Sequence, residues 1–187
     1  SSANSKAIDD AEVYSINECR FESVPMTPTG LAEFDHLLGG GIVPASSILI
    51  GGEPGIGKST LMLQVAGYLA AIGQTTLYLT GEESSQQVAL RGHRLGVENE
   101  LVKIAAVREL PQVYGLVNKI DPQLVIIDSV QTLYDPALES APGTVSQIRS
   151  SAAELIDFCK RSDKILILIG HITKDGAIAG PKVLEHL

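Results

Sequence analysis

The sequence has little cysteine, no excess of positive charge and no long apolar run, and each shortage excludes a class of protein. Cys19 and Cys159 are its two cysteines, and they lack the Cys-x-x-Cys spacing of a zinc site. Reduced thiols of an intracellular protein are a better interpretation than a disulfide. The longest apolar run, ILILI at 165–169, is far shorter than the roughly 20 residues that cross a bilayer.

The charge balance argues against a broadly basic surface. The 187 residues contain 14 Lys and Arg against 22 Asp and Glu, which gives a formal net charge of −8. Such a chain does not hold DNA or a membrane by overall charge, so any contact with nucleic acid must be local. The first residues also lack the charged-then-apolar layout of a signal peptide. We therefore expect a soluble, cytoplasmic protein with no membrane contact.

Helical and strand patterns alternate along most of the chain. Residues 1–23 are polar and without a sustained period, which indicates a tail or linker, and 24–187 are expected to form one domain. Helices are predicted at 29–41 with Thr29 as the cap, at 58–73, at about 84–95 and from Pro111 onward. Continuous apolar strands are predicted at 46–51, 75–80, 102–106, 124–128 and 165–170. This alternation indicates an α/β domain whose mostly parallel central sheet carries helices on both faces.

A glycine-rich loop lies between the first strand and the helix that follows it. Residues 52–59, GEPGIGKS, satisfy G-x-x-x-x-G-K-[ST] in the strand–loop–helix setting that this motif requires. Glycines let the backbone fold around a phosphate chain, and the helix adds its first amides and its dipole. Lys58, taken as an exposed loop lysine, would reach the β- and γ-phosphates, and Ser59 would ligate Mg²⁺. The predicted phosphate-binding residues are Gly52, Glu53, Pro54, Gly55, Ile56, Gly57, Lys58, Ser59 and Thr60.

Other polar residues follow predicted strands and should meet the loop at the same sheet edge. Asp128 ends the strand LVIID and is the expected second anchor for the metal. Glu82 and Glu83 follow the strand TTLYLT, and one of them, with Glu82 favoured, would orient a water for hydrolysis. The alternative is that these acids only stabilise the start of the next helix. His171 follows ILILIG and is either a sensor of the γ-phosphate or an ordinary loop residue.

Several segments together resemble the ATPase core of the bacterial RadA/Sms proteins, RecA-superfamily enzymes of recombinational DNA repair. The resemblance covers roughly 24–187 and rests on GEPGIGKST, YLTGEES, LRGHRLG, SAPGTVSQIR and GHITKDGAIAGPKVLEHL. It implies a RecA-like P-loop NTPase that binds ATP with Mg²⁺. Position by position, it implies that Lys58 and Ser59 belong to the phosphate loop, Asp128 is the magnesium-associated acid, Glu82 is the catalytic glutamate and His171 is the polar sensor.

The resemblance also implies partners. Members of the family form hexameric rings, similar to the replicative DnaB helicase, that translocate on single-stranded DNA and aid branch migration. DNA contacts are then expected from channel loops, with Arg149, Lys174 and Lys182 as the candidates. The alternative for Arg149 is an exposed helix charge in an i,i+4 ion pair.

The sequence departs from the family pattern at both ends. Family members begin with a four-cysteine zinc module and continue into a Lon-protease-like domain, and neither pattern occurs in these 187 residues. We therefore expect a fragment that is monomeric and turns over ATP slowly. Two other functions stay open: an ATP-dependent assembly switch with little hydrolysis, and a P-loop kinase of a small molecule. The kinase would need lid arginines, and Arg91 and Arg94 are interpreted as solvated helix charges.

Overall fold

The computed structural model of the protein describes residues 11–18, 26–53 and 57–171. Five strands form in these ranges: β1 Ser47–Gly52, β2 Thr76–Thr80, β3 Val102–Ala106, β4 Leu124–Asp128 and β5 Ile165–His171. Helix α1 Ala32–Leu37 precedes the strands, and helices α2 Lys58–Ala71, α3 Ser85–Arg94, α4 Leu110–Ile120 and α5 Val145–Arg161 join them, with a 3₁₀ helix at Val130–Thr132. The predicted strands are thus confirmed to within one residue at each end.

The five strands form one parallel sheet in the order β1-β5-β4-β2-β3. Parallel neighbours need long crossover connections, and here helices supply them. The last strand, β5, lies between β1 and β4, so residues more than a hundred positions apart become neighbours across the sheet. All five carboxyl ends consequently point to one edge.

Side chains alternate between two apolar clusters along each central strand. Ile126 and Ile167 face one cluster, where Met62 and Leu63 of α2 cover them. Val125 and Leu166 face the other, beneath α4 and α5. Both faces of the sheet are therefore buried under helices, which confirms the predicted α/β fold class and explains why the strands are continuously apolar.

Local chemistry sets several of the helix boundaries. The side chain of Ser84 accepts a hydrogen bond from the Gln87 backbone, and the Gln87 side chain accepts one from the Ser84 N–H, so α3 begins in a capping box. Pro111 lies in the first turn of α4, where a missing N–H costs nothing. Gly73, with φ +85°, follows the end of α2 in a conformation that favours glycine.

Two predictions at helices need correction. Thr29 does not cap α1, because that helix begins at Ala32 with Leu31 at the N-cap position and no side-chain cap. Thr29 instead binds Asp35 through both its N–H, at 2.8 Å, and its hydroxyl, at 2.7 Å. The long helix α5 is an addition to the predicted helices, since the Pro, Gly and Ser residues before it give the segment the composition of a loop.

The structure also bears on the cysteines and on whether a helix could cross a membrane. Cys159 is buried as a free thiol, and burial raises its pKa to about 12, so it is unreactive. Cys19 lies outside the described residues, as does most of the predicted 1–23 tail. Within the described part of the chain, the helices are all too short or too polar to cross a membrane.

Candidate active site

The register of the sheet brings the predicted polar residues to one place. Gly52 at the end of β1 pairs with His171 at the end of β5, and Asp128 of β4 lies between Thr80 and Ile169. A cavity of about 530 Å³ opens at this edge. Its walls include the predicted site residues Gly57, Lys58, Ser59, Thr60, Glu82, Asp128 and His171.

Helix α2 begins at the floor of this cavity. Gly57 precedes it with φ +83°, a conformation that favours glycine, and the unpaired amides of the first turn follow directly. Gly52 is buried in β1 and Glu53 is exposed. Pro54, Gly55 and Ile56, the middle of the predicted phosphate loop, lie outside the described residues.

Lys58 is buried, which corrects its interpretation as an exposed loop lysine. Its relative exposure is 8%, and its Nζ donates to the carbonyl of Gly52 and, at 3.0 Å, to that of Gly170. The Nδ1 atom of His171 lies 3.3 Å from the same nitrogen. The ammonium group is therefore held between the ends of β1 and β5, the two strands that the register places side by side.

Burial also changes the acidity of Lys58. Desolvation lowers its pKa below that of an ordinary lysine, and the charge of Asp128 offsets part of this effect. A bound polyanion would favour the charged form. A phosphate ligand would therefore stabilise the charged form of this desolvated ammonium more than that of a lysine in water.

Asp128 is half-buried and is held by a residue that the sequence analysis did not single out. The hydroxyl of Tyr78, a fully buried residue of β2, donates to Asp128 Oδ2. Burial raises the pKa of Tyr78, and the Asp128 charge raises it further, so the phenol stays a donor. A tyrosine in a predicted apolar strand was the available signal, since a buried hydroxyl requires a partner.

The two adjacent glutamates after β2 have different surroundings. Glu83 forms an ion pair with Arg91, and its backbone N–H and C=O both bind the Thr80 hydroxyl. Glu82 is exposed and lines the cavity, and no ion pair joins it to another described residue. The capping box at Ser84 pairs the backbone N–H groups of Ser84 and Gln87 at the start of α3, and neither bond uses the carboxylate of Glu82 or Glu83.

Arg91 is not the solvated helix charge that the sequence predicts. It lines the cavity, and its Nη1 donates to Ser59 Oγ at 3.1 Å while its Nη2 lies 2.5 Å from Glu83 Oε2. Hydrogen bonding to Glu83 raises the pKa of Arg91 further. Arg94, one turn later, is exposed as predicted.

Gln131 connects the ends of β4 and β5. Its side-chain amide donates to the His171 carbonyl at 3.2 Å and accepts from the His171 N–H at the same distance. This reciprocal pair fixes the backbone at His171 beside the 3₁₀ helix that follows Asp128. The sequence contained no signal for it.

The DNA-contact candidates lie away from the described part of this cavity or outside the description. Arg149 is exposed on α5, and its neighbours four positions away, Val145 and Ala153, are uncharged, so the proposed i,i+4 ion pair does not form. Lys174 and Lys182 lie outside the described residues.

The donor set of the cavity fits a magnesium-bound polyphosphate. Hydroxyl and carboxylate oxygens of Ser59 and Asp128 are ligands that Mg²⁺ prefers, and Lys58 supplies the opposite charge for phosphate. The described residues contain no cluster of three or more His, Cys, Asp or Glu that would hold a metal alone. In nucleotide sites, Mg²⁺ is commonly bound by one or two side chains together with phosphate oxygens.

Comparison with known proteins identifies a family model and several relatives that match this chain. The AAA domain family model matches residues 24–177. DNA repair protein RadA of Haemophilus influenzae is 45% identical over 176 residues, which cover 94% of this chain and 38% of that protein. The Escherichia coli protein of the same name is 46% identical with the same coverage, and the Streptococcus pneumoniae one is 46% identical over 95% of this chain and 40% of its own. The chain therefore spans well under half the length of these relatives.

A solved structure supports the fold. The KaiC-like protein PH0186 from Pyrococcus horikoshii OT3 superposes with a TM-score of 0.67 over 79% of this chain and 71% of that one, at 23% identity. This likeness bears on the fold and confirms the RecA-like P-loop architecture. The chain therefore belongs to the AAA domain family, a family of ATPases, and the resemblance to RadA DNA repair proteins that its motifs indicate is confirmed.

Proposed function

We propose that this chain is the ATP-binding and ATP-hydrolysing core of a DNA repair motor that acts on single-stranded DNA. The observation that carries the proposal is the cavity at the carboxyl edge of the sheet, where Lys58, Ser59, Asp128 and the exposed carboxylate of Glu82 converge. The names of the relatives, DNA repair protein RadA, supply the biological role. The core would extend over 24–187, with 1–23 as its tail.

Lys58 and the start of α2 are proposed to bind the phosphate chain. The ammonium exchanges its bonds to the Gly52 and Gly170 carbonyls for phosphate oxygens, and the first amides of α2, with Thr60, hold the remaining oxygens. The residues of the loop at 52–60 would complete this cradle.

Ser59 and Asp128 are proposed to hold Mg²⁺. When bound, the ion neutralises the negative charge that develops on the phosphate oxygens. Tyr78 keeps the Asp128 carboxylate oriented from behind, so that one of its oxygens remains directed to the cavity.

Glu82 is proposed to accept the proton of the attacking water. Its carboxylate is exposed in the cavity, whereas Glu83 is held by Arg91. His171 is proposed as the sensor of the γ-phosphate, because its ring lies beside the Lys58 ammonium and its backbone is fixed by Gln131.

The DNA and ring assignments come from the family resemblance. A hexamer of full-length chains would place Arg149, Lys174 and Lys182 along a central channel. A net charge of −8 is compatible with this arrangement, because a ring concentrates a few cations in its bore. The 187-residue chain itself is expected to be a monomer with slow turnover.

Phosphate release and nucleotide binding test the proposal together. We expect calorimetry to detect binding of ATP by the chain in the presence of Mg²⁺. We expect Glu82→Gln to lower the rate of phosphate release by about 10²- to 10⁴-fold and to retain the affinity for ATP. Glu100→Gln is a matched control, since Glu100 is exposed just before β3, at the opposite edge of the sheet.

The other outcomes discriminate the alternatives. Binding without turnover in the unmodified chain, even with single-stranded DNA, would favour the assembly switch. Transfer of phosphate to a small hydroxyl compound instead of water would favour the kinase. An absence of binding would overturn the proposal.

A further inference from the structure

Among the described residues that line the cavity, Arg91 is a cation to which the proposed function gives no role. It lies on α3, whose inward stripe includes the buried Val88 and Gly92, and its side chain runs from this stripe into the cavity. Arg94 belongs to the outer face of the same helix and is exposed. The two arginines are thus three residues apart with different surroundings.

The guanidinium of Arg91 joins two elements of the site. One nitrogen, Nη1, donates to Ser59 Oγ in the first turn of α2, and the other, Nη2, pairs with Glu83 after β2. Both side chains of the ion pair are about one-third exposed, at 30% for Arg91 and 34% for Glu83. A planar fork holds two acceptors in fixed relative positions, which a lysine ammonium does not do.

The charges in the cavity explain why such a fork matters. Glu82, Glu83 and Asp128 all line the space that a polyphosphate would enter. Negative charges that line one cavity repel a polyphosphate and one another, and the repulsion is larger where water is partly excluded. The ion pair at Glu83 offsets one of these repulsions, and within the described residues Glu82 is the adjacent carboxylate that has no ion-pair partner.

The bond to Ser59 is compatible with the metal-binding role proposed for that residue. A hydroxyl oxygen has two lone pairs and one proton. Accepting from Arg91 uses one lone pair and leaves the other for a cation. The same contact restricts rotation of the hydroxyl.

We propose that Arg91 is a positioning residue that neutralises Glu83, orients the Ser59 hydroxyl and thereby determines which of the two adjacent glutamates is available to the nucleotide. This inference rests on the proposed ATPase function and deepens it. In this inference the negative charge of Glu83 opposes binding of the polyphosphate unless Arg91 neutralises it.

Charge compensation provides the test, with the affinity for ATP and Mg²⁺ measured by calorimetry. We expect Arg91→Gln to weaken binding on the order of tenfold, because the Glu83 charge then faces the polyphosphate. We expect Arg94→Gln, the matched control, to bind like the unmodified chain. Adding Glu83→Gln to Arg91→Gln should restore affinity to within about threefold, since the uncompensated charge is removed with its partner.

Arg91→Lys separates charge from geometry. It keeps a cation for Glu83 but loses the two-acceptor fork, so affinity should be largely retained while the concentration of Mg²⁺ required for half-maximal binding rises a few-fold. Thermal melting of every variant checks that the fold persists, and Arg91→Lys serves if Arg91→Gln unfolds.

Three results would overturn the inference. These are unchanged affinity in Arg91→Gln, failure of the folded double variant to recover, or an equal loss in Arg94→Gln. An unmodified chain that binds no nucleotide would instead refute the proposed function, so the two failures are distinguishable.

Discussion

The interior of the sheet and its carboxyl edge are built from the same five strands but obey different rules. Inside, the side chains of β4 and β5 belong to two apolar clusters, each covered by helices. At the edge, Gly52, Thr80, Asp128 and His171 are each bound to a particular partner or exposed to the cavity. The interior sets the positions, and the last residue of each strand sets the chemistry.

The largest effect that would sharpen this difference is expected inside the sheet. Ile126→Ala removes a fully buried side chain from β4 and should lower the free energy of unfolding by about 2–5 kcal/mol. Denaturant titration measures this loss. Nucleotide affinity of the folded fraction should stay unchanged, and a parallel loss of affinity would show that interior and edge are not separable.

Lys58→Ala is the corresponding change at the edge. We expect nucleotide affinity to fall on the order of 100-fold, because a charge-assisted phosphate contact disappears. Stability should change little, since the lost bonds to two carbonyls are offset by removal of a buried charge. Calorimetry and thermal melting read the two quantities separately, and a variant that simply unfolds would count against the assignment.

The pH dependence of binding follows from the lowered pKa of Lys58. In the proposed role the charged form of Lys58 binds phosphate, and burial makes the folded protein release this proton at lower pH than an ordinary lysine does. The affinity for nucleotide should therefore be highest below the pKa of Lys58. It should decrease as the pH rises through that pKa, by up to about tenfold per pH unit. Lys58→Arg, which stays charged, should lack this alkaline decrease, and identical profiles would contradict the explanation.

The smallest effect is expected for Tyr78→Phe, which lies between the two regions. The change keeps the buried ring and removes only the hydroxyl that donates to Asp128. We expect a loss of roughly 1 kcal/mol in stability and a few-fold increase in the Mg²⁺ concentration needed for nucleotide binding. Titration of Mg²⁺ at a fixed ATP concentration measures this midpoint. An unchanged midpoint would mean that the hydrogen bond from Tyr78 does not contribute to Mg²⁺ binding at Asp128.

The sequence was sufficient for residues whose position follows from one strand and its end. The parallel arrangement alone brings Asp128, Glu82 and His171 to the edge that carries the phosphate loop, so no tertiary knowledge was required. The position of Lys58 at the start of a helix was also predictable, but its burial was not, because the buried ammonium group contacts the Gly170 carbonyl, 112 residues later in the sequence.

The missed contacts share a physical cause. Arg91 binds a residue 32 positions away, Gln131 one 40 positions away and Tyr78 one 50 positions away. Local periodicity carries no information about such pairs, since it reports only which face of an element is apolar. Helix α5 was missed for a local reason, not a long-range one. The helix-breaking residues at 140–144, directly before its first residue, give the segment the composition of a loop.

The central position of β5 has a consequence for how the chain is made. Among the described strands, β1 has β5 as its sole sheet neighbour, and that neighbour is synthesised more than a hundred residues later. At typical ribosomal speeds of about 5–20 residues per second, β1 waits for roughly 6 to 25 s without its pairing partner. During this interval the backbone of β1 is open to pairing with other nascent chains, and a molecular chaperone that covers it would have its greatest effect then.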